Sequence, residues 1–254
     1  MSRLLKMSIQ NYLKNLLYQP RQLLAEFQQL DQQQFQTAMK YLFSSRKEHL
    51  EMGNIFLDWD NTRERIFQSP GVNRTLFLIT LDKCFLVLNA LDCVDILSQV
   101  LHVSAVNYLQ PDVVGSLPNI LLEDAFRNLS AVFKDLYDKT SANTQRALYG
   151  WMKQILKNSH NISEFNESTS WVSAESLWIL GRYMVHLPLE EILKISLNEI
   201  RLFISYDNAT KQLDTVYDIT AELAQAFLGR INLSGFDMRN TSTIYRQDCF
   251  GFLL

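Results

Sequence analysis

The strongest constraint on the fold of this chain is its scarcity of the two residues that make tight turns. Its 254 residues include only 8 Gly and 5 Pro, which is about half of average usage. Sheet proteins built from many short strands need such residues at their chain reversals. Because leucine, glutamine, lysine and glutamate are abundant instead, the sequence predicts an all-α protein.

Apolar residues recur at helical spacing in three clear segments. The first follows Asp31, a residue type that caps helices, and its apolar positions are Phe35, Met39 and Phe43. The second has its apolar stripe at Phe126, Leu129, Phe133, Leu136 and Tyr137. The third follows Ser141 and has its stripe at Leu148, Trp151, Met152, Ile155 and Leu156. Each segment is predicted to form a helix with one buried face.

The last third of the chain shows the same alternation of apolar stripes and polar breaks. Helices are predicted over residues 174–187, 190–194, 196–205 and 220–231. Pro188 suits the start of the second of these, because proline is tolerated in the first turn of a helix. The segment ahead of these helices is rich in Ser, Asn and Glu and is therefore predicted to be a polar linker or loop, at residues 158–171.

This polar segment divides the predicted organisation. Residues 1–157 are expected to form an N-terminal helical repeat region and residues 172–244 a C-terminal one, followed by a divergent tail at 245–254. Many short helices joined by short connections favour an α-solenoid, an ARM/HEAT-like superhelix of stacked helix pairs. A compact irregular helical domain is the alternative.

The sequence contains no pattern that predicts catalysis or cofactor binding. The four histidines, His49, His102, His160 and His186, form no i, i+4 pair, and there is no Cys-x-x-Cys and no glycine-rich phosphate loop. The paired carboxylates of Asp58 and Asp60 are interpreted as a solvated helix end. A net charge of −3 without a basic cluster argues against nucleic-acid binding. The prediction is a non-enzymatic protein without a metal or another cofactor.

Seven Asn-x-Ser/Thr sequons indicate a protein of the secretory pathway. With 17 Asn, 20 Ser and 12 Thr in the chain, chance predicts about two, and the tripeptide is used only where N-glycosylation occurs. The candidate acceptors are Asn73, Asn128, Asn161, Asn166, Asn208, Asn232 and Asn240. If the chain enters the secretory lumen, all seven are expected to be accessible, Asn128 because it lies on a helix face turned away from Phe126. If the chain is never translocated, all seven are ordinary polar surface residues.

Neither terminus shows the signal that such a route requires. The basic N-terminus contains no apolar block of secretory type, the end of the chain is too short for a lipid-anchor signal, and no stretch is apolar enough to span a bilayer. The sequons and the two termini therefore give conflicting indications.

The three cysteines, Cys84, Cys93 and Cys249, leave the disulfide state open. On one continuous helix Cys84 and Cys93 would lie about 13.5 Å apart, which is beyond disulfide reach. A chain reversal between them permits a bridge. Buried free thiols and a Cys84–Cys93 disulfide are the two alternatives.

Four stretches resemble a known family, that of mesothelin and stereocilin. They are SPGVNRTLFLITLDKCF (69–85), EDAFRNLSAVFKDLYDKTSA (123–142), WVSAESLWILGRYMVHLPLEEILKIS (171–196) and LFISYDNATKQLDTVYDITAELAQAFL (202–228). The resemblance extends over roughly residues 10 to 244. It implies a superhelical stack of short helices and no catalytic residues. Because the resembled protein is several times longer and has a signal peptide and an anchor signal, the resemblance also leads us to expect a truncated or partial form.

The resemblance also implies a function and a location. It points to a glycosylphosphatidylinositol-anchored glycoprotein on the extracellular side of the apical surface of non-sensory cells in the inner ear. There it would attach acellular gels such as the tectorial membrane, with extracellular-matrix or gel glycoproteins as partners and with the membrane reached only through the lipid anchor.

Two further expectations concern the chain by itself. If it is never translocated, the alternative function is an intracellular α-helical scaffold that binds peptides or proteins. Because cutting a solenoid exposes apolar surface, the isolated chain is also expected to self-associate.

Overall fold

The computed structural model describes residues 20–43, 70–85, 96–101, 108–159, 170–205 and 216–235. Within these ranges regular structure is helical and no strand occurs, so the all-α prediction is confirmed there. The α-helices are α1 Pro20–Gln29, α2 Gln32–Phe43, α3 Pro70–Phe85, α4 Pro111–Val114, α5 Glu123–Asp135, α6 Ala142–Ser159, α7 Ala174–Leu180, α8 Leu189–Lys194, α9 Leu197–Ser205 and α10 Ala221–Leu233. Two 3₁₀ turns cover Tyr137–Lys139 and Gly181–His186, and residues 96–101 are also helical.

Polar side chains cap the N-termini of five helices, and two of these caps were predicted from the sequence. Asp31 and Gln34 form a reciprocal capping box on α2: the Gln34 amide donates to Asp31 Oδ1 at 2.7 Å, and the Asp31 amide donates to Gln34 Oε1 at 3.1 Å. Ser141 accepts from the Thr144 amide at 3.3 Å and caps α6. The caps predicted at Asp31 and Ser141 are therefore confirmed.

Three more side chains cap the N-termini of helices in the C-terminal third of the chain. Ser173, Ser196 and Thr220 each accept a hydrogen bond from the amide three residues later, ahead of α7, α9 and α10. Each bond satisfies one of the backbone amides that the first helical turn leaves without an intrahelical partner.

The chain divides into two compact units. Unit 1 comprises Met1–Val132 and Asp138–Thr144, and unit 2 comprises Phe133–Tyr137 and Gln145–Leu254. Unit 2 thus includes residues on both sides of the predicted linker 158–171, most of which lies outside the described residues. The predicted domain boundaries and the solenoid arrangement remain predictions.

The core of unit 1 is built where α1 and α2 pack against α3. Phe27 and Phe35 meet edge to face with ring centroids 5.9 Å apart, and both side chains are completely buried. Phe77 on α3 contacts the ring of Tyr108 at 5.7 Å. The Tyr108 hydroxyl donates to the Val100 carbonyl at 3.0 Å, so this buried phenol is satisfied by backbone.

The core of unit 2 is built where α9 packs against α7 and α10, and α10 packs against α8. Apolar side chains with little or no exposure fill these contacts: Leu177, Leu180, Ile192, Ile200, Phe203, Ala224 and Phe227. Phe133 lies edge to face against Trp151, with centroids 5.5 Å apart. Burial of the two predicted stripes is confirmed, since each of their ten apolar residues is buried. Of these residues, Phe126 and Leu129 belong to unit 1, and Leu136 and Tyr137 follow the end of α5.

The helix predicted over residues 174–187 is shorter than expected. Regular α-helix stops at Leu180, and Gly181 adopts φ +52° and ψ −127°, a conformation that L-residues rarely adopt. A Cβ at Gly181 would lie 2.6 Å from Cδ of Lys134. That side chain is itself held, because Lys134 Nζ donates to the Trp178 carbonyl at 3.1 Å.

In the described part of the chain, no helix is long and apolar enough to cross a membrane.

We predict that Gly181→Ala lowers the free energy of unfolding of unit 2 by about 1–3 kcal/mol, because the new methyl group strains the backbone and displaces Lys134. Gly150→Ala is the matched control. Gly150 lies inside α6, and a Cβ there meets nothing within 4 Å. Because alanine is the better helix former, this change should stabilise unit 2 by about 0.5–1 kcal/mol. Urea denaturation followed by circular dichroism measures both, and equal stability of the two variants would contradict the account.

Candidate functional site

Five side chains of unit 2 form a cluster of aromatic and charged groups, the Arg182 cluster: Tyr137, Arg182, Tyr183, Tyr217 and Asp218. The guanidinium carbon of Arg182 lies 4.0 Å from the ring centroid of Tyr137 and 4.2 Å from that of Tyr217. Both distances are well within the range of cation–π attraction. Because Arg182 is only 9% exposed, the two rings replace much of the water around its charge.

Asp218 supplies the counter-charge of the cluster. Its Oδ1 lies 3.6 Å from Arg182 Nη2, and its Oδ2 accepts a 2.6 Å hydrogen bond from the Tyr137 hydroxyl. The Asp218 side chain is 36% exposed, so the carboxylate keeps part of its hydration while it pairs with a buried cation. This arrangement limits the desolvation cost of the ion pair.

Two tyrosines of the cluster donate hydrogen bonds through their hydroxyls, Tyr137 to Asp218 and Tyr183 to the backbone. Tyr183 packs edge to face on Tyr137 with centroids 4.9 Å apart, and its hydroxyl donates to the Phe133 carbonyl at 2.9 Å. Burial raises the pKa of Tyr183 far above its usual value, with Tyr137 adding to the rise and Arg182 opposing it. The cluster therefore holds its segments in place.

The cluster joins three segments that are distant in sequence, around residues 137, 182 and 217. None of its residues belongs to a recognisable sequence motif. One sequence signal does point to it, because Arg182 is the sole Arg, Lys, Asp or Glu between Glu175 and Glu190 and lies in an otherwise apolar stretch. Tyr217 is 71% exposed and brings the cluster to the surface of unit 2.

A second group of buried polar atoms lies beside the cluster. The His186 ring is 5.8 Å from that of Tyr149, and within the described ranges neither His186 Nε2 nor the Tyr149 hydroxyl has a hydrogen-bond partner. Burial lowers the pKa of His186 below its usual 6.5, while Asp218 raises it and Arg146 lowers it further. His186 is therefore neutral at physiological pH.

No group of three or more His, Cys, Asp or Glu side chains that could hold a metal ion occurs in the part of the chain that the structure describes. Of the four histidines only His186 lies there, and Asp58 and Asp60 do not.

Three of the seven sequons lie within the described ranges, and the structure separates them. Asn128 on α5 and Asn232 on α10 are exposed. The expectation that Asn73 is accessible is not met, since its side chain is only 2% exposed in the first turn of α3. Four lie outside the described residues: Asn161, Asn166, Asn208 and Asn240.

The cysteine alternatives are not decided. Cys84 belongs to α3, but its side chain and the whole of Cys93 lie outside what the structure describes.

We predict that acid destabilises unit 2 partly through His186. The unfolded chain takes up a proton near the usual pKa of 6.5, whereas the folded state keeps this histidine neutral to lower pH. Its contribution is therefore complete above pH 6.5 and is lost as the pH falls towards the folded-state pKa. Urea denaturation at pH 7.5 and pH 5 should show a smaller acid-induced loss for His186→Gln than for the unchanged chain. An equal loss in both proteins would contradict the assignment.

Comparison with known proteins identifies similar sequences. Residues 2–70 match the family described as the otoancorin N-terminal domain. The chain is 61% identical to human otoancorin over 243 residues, or 96% of this chain and 21% of that protein. It is 60% identical to mouse otoancorin over 235 residues, or 92% of this chain and 20% of that protein.

No solved structure matches the chain. The chain spans about a fifth of the length of the curated relatives it matches. The chain is thus similar to otoancorin over most of its own length, and its residues 2–70 match the otoancorin N-terminal domain.

Proposed function

We propose that this chain is part of a non-catalytic cell-surface glycoprotein that attaches acellular gels of the inner ear, such as the tectorial membrane, to the apical surface of non-sensory epithelial cells. Its partners are extracellular-matrix or gel glycoproteins. The whole protein is held at the membrane by a glycosylphosphatidylinositol anchor.

One observation carries the proposal: identity of about 60% with otoancorin extends over more than nine-tenths of the chain. Substitutions at this level rarely change the arrangement of a buried core. The core residues and caps described above are therefore expected to recur in the longer relatives.

The surface chemistry of the described residues is consistent with a binding role. Asn128 and Asn232 offer two exposed acceptors for glycans, which enlarge and solubilise an extracellular surface. The ring of Tyr217 is exposed at the edge of the Arg182 cluster and held there by the guanidinium. Aromatic side chains fixed in this way contribute contact area at low entropic cost.

We predict that the endogenous product migrates faster in gels after treatment with an N-glycosidase and is labelled by antibody on intact cells. Both results follow from passage through the secretory lumen. A cytosolic product whose mobility does not change would contradict the adhesion proposal and favour the intracellular scaffold.

We also propose that the isolated chain self-associates through exposed apolar residues. Ile120 is 77% exposed and Leu122 50% exposed, in the loop that precedes α5. Light scattering should show a mass that rises with concentration, and Ile120→Ser with Leu122→Ser should reduce that rise. Leu202→Ser, at a residue 41% exposed in unit 2, is the control for a general gain in solubility. A monodisperse monomer at every concentration would contradict the proposal.

A further inference from the structure

We propose that the three described sequons accept a glycan only before the chain folds, and that Asn128 and Asn232, but not Asn73, carry one in the folded protein. The inference rests on the proposed function, because it concerns a chain inside the secretory lumen. It predicts different glycan occupancy at sites that share the same tripeptide motif.

The reaction requires access to two side chains at once. The Asn amide nitrogen bonds to C1 of an oligosaccharide carried on a polyprenyl diphosphate, the C1–oxygen bond breaks, the lipid diphosphate leaves, and the amide proton passes to a base of the transferase. The motif includes a hydroxyl two residues later. The enzyme must therefore reach both residues of the acceptor.

Asn73 fails this requirement in the folded chain and has no room for the product. Its side chain is 2% exposed, beside Val72 and Leu76, which are 5% and 1% exposed. These residues lie at the start of α3, the helix on which α1 and α2 pack. A sugar on the Asn73 amide would have to displace close-packed side chains, so a chain glycosylated there cannot complete unit 1.

Asn128 presents the opposite arrangement. Its side chain is exposed, whereas Leu129 and Ser130 are 0% and 1% exposed. Two helical residues correspond to a rotation of about 200°, so α5 carries the amide and the hydroxyl of this sequon on opposite faces. Folding hides Ser130 from the transferase, but a glycan already attached to Asn128 remains in solvent.

Asn232 repeats this arrangement at the end of α10. Asn232 is exposed, and Ser234, the residue that caps the helix C-terminus, is 2% exposed. The Ser234 hydroxyl donates to the Ile231 carbonyl at 2.7 Å, and the Ser234 carbonyl accepts from Arg201 Nη2. The hydroxyl is thus engaged by the cap that ends the helix, while the Asn232 side chain points away from the core.

Site-resolved occupancy tests the assignment. The full 254-residue chain is expressed in mammalian cells behind an added secretion leader, and secreted and retained protein are analysed separately. Enzymatic deglycosylation in ¹⁸O-water marks each formerly occupied Asn for mass spectrometry. Secreted, monodisperse protein should carry glycans at Asn128 and Asn232 and none at Asn73. Any glycan at Asn73 should be found only in retained protein.

Two results would overturn the assignment: Asn73 occupied in secreted protein that melts cooperatively, or Asn128 or Asn232 bare in that protein. Thr75→Ala removes the Asn73 sequon without changing Asn73, and Thr75→Ser keeps it. If glycosylation at Asn73 traps the chain, Thr75→Ala should lower the retained fraction relative to Thr75→Ser. If Asn73 is glycosylated in the retained Thr75→Ser protein and yet the retained fractions of the two variants are equal, glycosylation at Asn73 does not prevent folding and this part of the proposal is wrong.

The requirement for an unfolded acceptor is tested separately. Folded, unglycosylated full-length chain is incubated with microsomal transferase and the lipid-linked donor, in parallel with synthetic peptides covering residues 125–133 and 229–237. The peptides should be modified and the folded chain should not be modified at Asn128 or Asn232. Modification of the folded chain would overturn the requirement. In the occupancy experiment the added leader forces translocation. An unexpected occupancy pattern there is therefore distinct from the finding that the endogenous product is cytosolic.

Discussion

Burial of the Arg182 guanidinium imposes a desolvation cost on the order of several kcal/mol, which only several neighbours acting together can offset. The rings of Tyr137 and Tyr217 approach the cation, and Asp218 supplies the opposite charge while it accepts a hydrogen bond from Tyr137. These neighbours come from segments separated by about 35 to 80 residues of sequence. The helices of unit 2 can therefore reach their full packing only when all of these segments are in place.

Much of the local structure follows from the sequence because its causes are local. Asp31 and Ser141 predict the starts of α2 and α6 from the hydrogen bonds that their side chains make within one turn. The break after Leu180 occurs at Gly181, where the backbone adopts φ +52°. What the sequence does not reveal is that the side chain of Lys134, a residue distant in sequence, occupies the space beside this glycine. Burial of Asn73 likewise depends on tertiary packing, because Asn73 lies in the first turn of α3, the helix on which α1 and α2 pack. The Arg182 cluster escaped prediction for the same reason.

The three sequons within the described residues differ in which of their side chains the fold buries. A tripeptide motif states only that a transferase recognises the sequence, whereas burial determines which product the folded protein can accommodate. Folding hides Asn73 itself, but at Asn128 and Asn232 it hides the hydroxyl and leaves the amide in solvent. Glycans at these two positions would extend the surface of a protein whose relatives are about five times as long. This arrangement fits the adhesive role proposed above, in which a glycosylated surface meets the partner.

The dependence of unit 2 on the Arg182 cluster is tested most directly by amide hydrogen exchange in Arg182→Lys. Lysine keeps the positive charge but loses the planar group that stacks on aromatic rings. Protection should fall together in residues 133–137, 181–186 and 216–219, while α3 of unit 1 keeps its protection and so serves as the internal reference. A loss confined to residues 181–186 would contradict the claim that one buried cation holds these segments together.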